Sequence, residues 1–171
     1  FLITRSSRER RRILQRRFGP EYERAVEEYG GPERAERELA VRAKRVRRYQ
    51  IHELEPADRQ HYSETWRAIQ ARFVDDPSGA VRDADALIGA VMQARGYPEE
   101  DFEERVADLS VEHPNVVQHY RAAHALAEAN RESRASTEEL RQAFVHYRAL
   151  FADLLQPSSV VAHRALQEVR V

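Results

Sequence analysis

Apolar residues recur at intervals of three and four along most of this chain, and no stretch alternates in the two-residue period of a strand. Leu140, Phe144, Tyr147, Phe151 and Leu154 make the longest such stripe. Val81, Ala84, Ile88 and Val91 make another, widened by Leu87 and Met92. Tyr62, Trp66, Ile69 and Phe73 form a third, and Val116, Tyr120, Ala123 and Ala127 a fourth whose alanines allow a neighbouring helix to approach closely. Phe102, Val106 and Leu109 mark a shorter helix, while Tyr22, Val26, Tyr29, Leu39, Ala43 and Val46 mark two pieces whose surrounding charges suit a solvated outer face. A side chain that reappears every 3.6 residues lies on one face of a helix, so each segment must bury that face against another.

Punctuation agrees with this period. The seven prolines lie in breaks or at first helical positions, where a missing N–H leaves no hydrogen bond unmade. Gly19-Pro20, Gly30-Gly31-Pro32, Pro56 and Pro77 predict helix starts, with Asp76 as an N-cap before Pro77. Gly96 is placed for a left-handed helix end before Pro98, His113-Pro114 opens a further segment, and Gln156-Pro157 closes the last strong one. Ser136-Thr137-Glu138-Glu139 fits a capping box, with Ser136 at the N-cap and Glu139 three residues on. The connections are short, which favours antiparallel neighbours. No repeat of fixed period argues for a solenoid. The expectation is an all-α, mostly antiparallel multi-helix bundle. It comprises a basic arm over residues 1–19, a helical domain over 20–155, and a tail or short helix over 156–171.

Charge divides the chain. Arg5, Arg8, Arg10, Arg11, Arg12, Arg16 and Arg17 stand against Glu9 alone in the first seventeen residues, a net +6, which leaves −7 for the remainder of a chain whose total is −1. Arginine supplies 27 of the 28 basic residues, as a GC-rich genome gives by codon usage, so its abundance by itself names no partner. No stretch reaches the roughly 18 apolar residues of a membrane-spanning helix. Phe1-Leu2-Ile3-Thr4 is nonetheless a short apolar run directly before the arginines. An apolar span closed by a basic stop is how a membrane helix meets the cytoplasm. The expected role of the arm is therefore juxtamembrane, with its seven arginines touching anionic headgroups. The arm lacks interleaved aromatics and the acidic body would repel a polyanion, so nucleic acid is disfavoured.

Chemistry is harder to find. Cysteine is absent, which removes disulfides, thiolate metal sites and a cysteine nucleophile. No GxSxG, GxGxxG or phosphate-binding glycine loop occurs. His119 and His124 are five residues apart, about 140° around a helix, so they do not form a two-histidine metal site. No catalytic residue, cofactor site or metal site is assigned. Trp66, the only tryptophan, is expected to anchor a core rather than to stack on a ligand. These points predict a non-catalytic interaction or scaffold domain held at the inner face of the cell membrane, or in the cytoplasm if no hydrophobic helix precedes the arm, with an unidentified protein partner. The alternative is an enzyme or small-ligand binder with a pocket between helices 57–75, 114–130 and 136–154. A cavity joining Tyr62, Trp66, His124 and His146 favours that alternative, and a filled core with those side chains dispersed favours the scaffold.

Several segments also carry a resemblance. Arg17-Phe18-Gly19-Pro20-Glu21-Tyr22-Glu23-Arg24-Ala25-Val26, the run Trp66 to Pro77, Ala84 to Leu87, Arg95-Gly96-Tyr97-Pro98, His119 to His124 and His146 to Phe151 resemble, in order, an actinobacterial family of uncharacterised proteins. The likeness covers roughly residues 17–155. It implies an anchored domain, because members begin with one hydrophobic helix followed by an arginine-rich stop. It implies no catalytic residue, and this sequence lacks the hydrophobic helix.

Overall fold

A computed structural model describes residues 2–157, with side chains from position 8 onward. Among these residues the chain forms eight α-helices and no strand. They are α1 (Leu2–Phe18), α2 (Pro20–Tyr29), α3 (Pro32–Val46), α4 (Pro56–Arg72), α5 (Pro77–Ala94), α6 (Phe102–Glu112), α7 (Val117–Arg131) and α8 (Thr137–Leu154). No helix among the described residues is long and apolar enough to cross a membrane. The tail or short helix expected over 156–171 lies, beyond Pro157, outside the described residues.

The boundaries follow the punctuation. Pro20, Pro32, Pro56 and Pro77 open α2 to α5. The Asp76 carboxylate accepts the Gly79 N–H at 2.8 Å, satisfying one of the orphan donors of the first turn. The Ser136–Glu139 capping box is complete, with the Glu139 carboxylate accepting the Ser136 N–H at 2.8 Å and the Ser136 hydroxyl accepting the Glu139 N–H at 3.2 Å. After α5, Tyr97 N–H donates to the Met92 carbonyl and Gly96 N–H to the Gln93 carbonyl, the two bonds of a Schellman ending. Gly96 sits there at φ 94°, and a Cβ on it would lie 2.4 Å from the Gln50 carbonyl oxygen, so the position admits no side chain. The segment expected to start at Pro114 makes a hydrogen-bonded turn first and becomes helical at Val117.

Two compact units emerge. The first joins residues 1–49 to 100–117 and contains α1, α2, α3 and α6. Its core is built from Phe18, Tyr22, Leu39, Val46, Val106 and Leu109. Two of the charged residues expected on a solvated face are instead buried here. Arg42 and Glu21 are almost completely covered and form an ion pair of 3.1 Å, with a second Arg42 nitrogen donating to the Tyr29 hydroxyl at 3.1 Å. The reason is partnership, since a buried guanidinium is tolerated when its fork is filled.

The second unit joins residues 50–99 to the described residues from 118 onward and contains α4, α5, α8 and all but the first residue of α7. Helix α5 packs against both α4 and α8. Every residue of the expected Val81 to Val91 and Leu140 to Leu154 stripes is buried.

Candidate functional site

Helix α1 has an inner and an outer face. Leu14 and Phe18, four apart, lie on the inward side with Arg11, and Phe18 is fully buried. This face packs against α2, α3 and α6. Arg11 is drawn into the fold, for its Nε donates to Glu36 Oε1 at 2.8 Å, and that bond and charge raise its pKa above that of an ordinary arginine. The same Glu36 oxygen accepts the Tyr22 hydroxyl at 3.0 Å, so the contact is cross-linked to α2.

The remaining arginines of α1 have another setting. Arg8, Arg10, Arg12, Arg16 and Arg17 are exposed. Arg12 and Arg16 are one turn apart on the outward side. Ile13 stands near them 59% exposed, the most exposed large apolar side chain of this helix among the described residues. A depression of about 440 Å³ runs along Glu9, Arg10, Ile13 and Leu14. Arg17 differs from the others, because burial and then the charge of Arg47 lower its pKa, with Glu112 opposing them. The structure thus sorts the seven arginines expected at a membrane surface. Arg11 is tied to Glu36, Arg17 leans on its own unit, Arg8, Arg10, Arg12 and Arg16 face outward, and the side chain of Arg5 lies outside the described residues.

The four residues of the alternative pocket have different partners. The Trp66 ring lies 4.8 Å from that of Phe144 and 4.9 Å from that of Phe151, inclined by 18° and 15°. Those two phenylalanines are seven residues apart on α8, a rise of about 10.5 Å, so the indole is sandwiched between them and neither of its faces is open to a ligand. Tyr62 directs its hydroxyl to the Ala90 carbonyl at 3.4 Å. His124 Nε2 lies 3.7 Å from Glu128 on its own helix. His146 meets not His124 but His119, with 2.9 Å between the two Nδ1 atoms. One imidazole must donate and the other accept, and burial followed by the charge of His119 lowers the pKa of His146. Next along α8, the Tyr147 hydroxyl donates to Asp85 at 3.0 Å, while the second Asp85 oxygen lies 3.3 Å from Arg131. Burial and then Asp85 raise the pKa of Tyr147, so the phenol serves as a fixed donor rather than as a proton shuttle.

The sequence reading joined His146 to His124 across these two helices, whereas the structure pairs it with His119, a partner that spacing along one helix does not reveal. The His-Tyr dipeptides at 119–120 and 146–147 were its available signal, since in each the tyrosine is buried and the histidine flanks it. Among the described residues no group of three or more His, Asp or Glu side chains gathers to hold a metal. Compared with known proteins, the chain matches no family model, no curated protein and no solved structure.

Proposed function

We propose that this protein is a non-catalytic helical interaction domain whose helix α1 lies against an anionic membrane surface on the cytoplasmic side, leaving the other helix faces for a protein partner. The exposure of Arg8, Arg10, Arg12 and Arg16, with Ile13 also exposed on the same helix, carries this reading. Each basic residue at such a surface contributes on the order of 1 kcal/mol, within a Debye length of about 8–10 Å at physiological salt. Four of them exceed what a marginal contact needs, and Ile13 adds apolar burial among the headgroups. From Arg8 to Arg16 the helix rises only about 12 Å, a length suited to a patch of headgroups. A long polyanion would also lie across the acidic remainder of the chain, whose net charge is −7, whereas a membrane need touch only α1. The resemblance to an anchored actinobacterial family points the same way.

Co-sedimentation with vesicles of phosphatidylcholine and phosphatidylserine tests the proposal. Binding is expected to weaken with salt and to fall at least tenfold when Arg8, Arg10, Arg12 and Arg16 become glutamine. Arg11→Gln should leave binding nearly unchanged, because Glu36 already holds that side chain. Equal binding to neutral vesicles, or tighter binding to duplex DNA or RNA at the same salt, would overturn it.

A further inference from the structure

Helix α3 carries two sets of basic residues. Arg42 and Arg45 are engaged, by Glu21 and Asp108 at 3.1 and 2.5 Å. Arg34, Arg37 and Lys44 are exposed, and so is Arg48 in the turn that continues the helix, where its N–H donates to the Arg45 carbonyl at 3.0 Å. None of these four side chains has a hydrogen-bond or ion-pair partner among the described residues. Val41 lies between them and is 56% exposed. With Val41 included, the five positions are spaced 3, 4, 3 and 4, the interval that keeps side chains on one helix face. The stripe is about 21 Å long.

The acids of α3 do not neutralise it. Glu36 accepts from Arg11 and Tyr22, and Glu38 lies 3.5 Å from Arg42. Glu33 stands in the first turn, where a carboxylate compensates the helix dipole. Packing decides which way the stripe looks. Within the first unit α1 and α3 touch, and each packs against both α2 and α6, which are not packed against each other to a comparable extent. Helices α2 and α6 therefore flank the α1–α3 contact, and the outer faces of α1 and α3 point away from each other. A flat membrane that holds the outer arginines of α1 leaves this stripe in water.

We propose that the stripe docks an acidic helix of the protein partner, whose carboxylates pair with Arg34, Arg37, Lys44 and Arg48 across an apolar contact at Val41. Alternating steps of three and four are the spacing of a seam between two helices, so a partner helix with acids at the same interval meets the cations in register. The guanidinium groups can take those carboxylates bidentately. Val41 favours a peptide over a phosphate backbone, because an apolar side chain at the centre of the stripe is buried by a helix and gains nothing from phosphate oxygens. The inference rests on reading the protein as an interaction domain, but not on the membrane contact of α1.

Fluorescence anisotropy with the full chain and a labelled peptide of about 20 residues, long enough to hold a helix, tests the proposal. The probe places glutamates at the spacing of the stripe around a central leucine, and the control permutes the same residues. The permuted peptide should bind roughly tenfold more weakly, which separates register from bulk charge. Changing Arg34, Arg37, Lys44 and Arg48 together to glutamine should weaken the probe by roughly tenfold or more, and Val41→Asp several-fold, with vesicle binding unchanged. Glutamine at Arg8, Arg10, Arg12 and Arg16 should leave peptide affinity within about twofold, so the membrane reading and this one fail separately. Absence of peptide binding, equal binding of the permuted peptide, tighter binding of duplex DNA or RNA to the stripe at the same salt, or loss of vesicle binding in the stripe variant would each overturn the proposal.

Discussion

Trp66→Ala is the perturbation that separates a packed anchor from a ligand platform. In the structure the indole is 6% exposed and lies within 5 Å of two phenylalanine rings, at 4.8 and 4.9 Å. Removing it deletes apolar surface from the core and leaves a cavity that α4 and α8 can close only by moving, a combined cost of about 3–5 kcal/mol. Of that total, the two stacked contacts account for about 0.5–1.5 kcal/mol each. With a urea m-value of about 2 kcal/mol/M, the unfolding midpoint should fall by about 1.5–2.5 M with m unchanged. Far-UV circular dichroism is the right monitor, because the substitution removes the only tryptophan fluorophore. Trp66→Phe keeps a ring in the slot and should lose less than half as much. A double-mutant cycle with Phe151→Leu should return a coupling of about 0.5–1.5 kcal/mol. A loss below about 1 kcal/mol for Trp66→Ala would refute the reasoning, for the indole would then be dispensable to the core.

Two further outcomes follow from buried charge. The folded-state pKa of His146 is lowered by burial and by His119, so the unfolded chain takes up that proton first and stability should fall as pH drops below the ordinary histidine value of 6.5. His146→Phe should flatten this part of a melting-temperature profile, and an unchanged fall would show that other groups cause it. Glu21→Gln leaves Arg42 buried with Tyr29 and, at 3.5 Å, Glu38, so it should cost about 3 kcal/mol in urea unfolding, the lower end of the range for breaking a buried pair. Glu21→Leu combined with Arg42→Met should recover most of that loss, and equal losses in the two variants would mean that the charge is not its cause.

The helices were legible because packing imposes a period on the sequence. Leu140, Phe144, Tyr147, Phe151 and Leu154 reveal α8 without any knowledge of what covers them, and Ser136 and Glu139 mark its start through bonds only three residues long. Partners distant in sequence leave no such trace. Arg45 meets Asp108 across 63 residues and His119 meets His146 across 27, and nothing in local spacing distinguishes these from their solvated neighbours. The point after Tyr49 where the chain leaves the first unit was hidden for a related reason, whereas Gly96 and Pro98 mark the return at Glu100. A boundary rich in Gly, Pro and Ser would have announced itself, but Gln50 to Glu55 reads as ordinary polar chain, although Leu54 within it is buried. The outward arginines of α1 were visible as charge, while their division into used and unused side chains required the helix to be seen packed.

That division is what the functional reading depends on, because the chain uses guanidinium groups in two ways. Inside the units they work by geometry. Arg42 forks between Glu21 and Tyr29, Arg45 grips one oxygen of Asp108 twice, and the fully buried Arg95 gives Nη1 to the Leu154 carbonyl at 2.9 Å and Nε to the His52 carbonyl at 3.4 Å. Leu154 ends α8, where the carbonyls carry partial negative charge, so Arg95 finds at a helix terminus the compensation that a carboxylate would otherwise provide. A lysine, with one compact ammonium, could not divide itself among such partners. On the outer face of α1 this logic fails to apply. Arg8, Arg10, Arg12 and Arg16 crowd into nine residues with only Glu9 to offset them, an arrangement whose mutual repulsion opposes the helix. Neutralising that repulsion with an external anionic surface would relieve the helix as well as bind it. The membrane contact and the helical state of α1 should therefore reinforce each other.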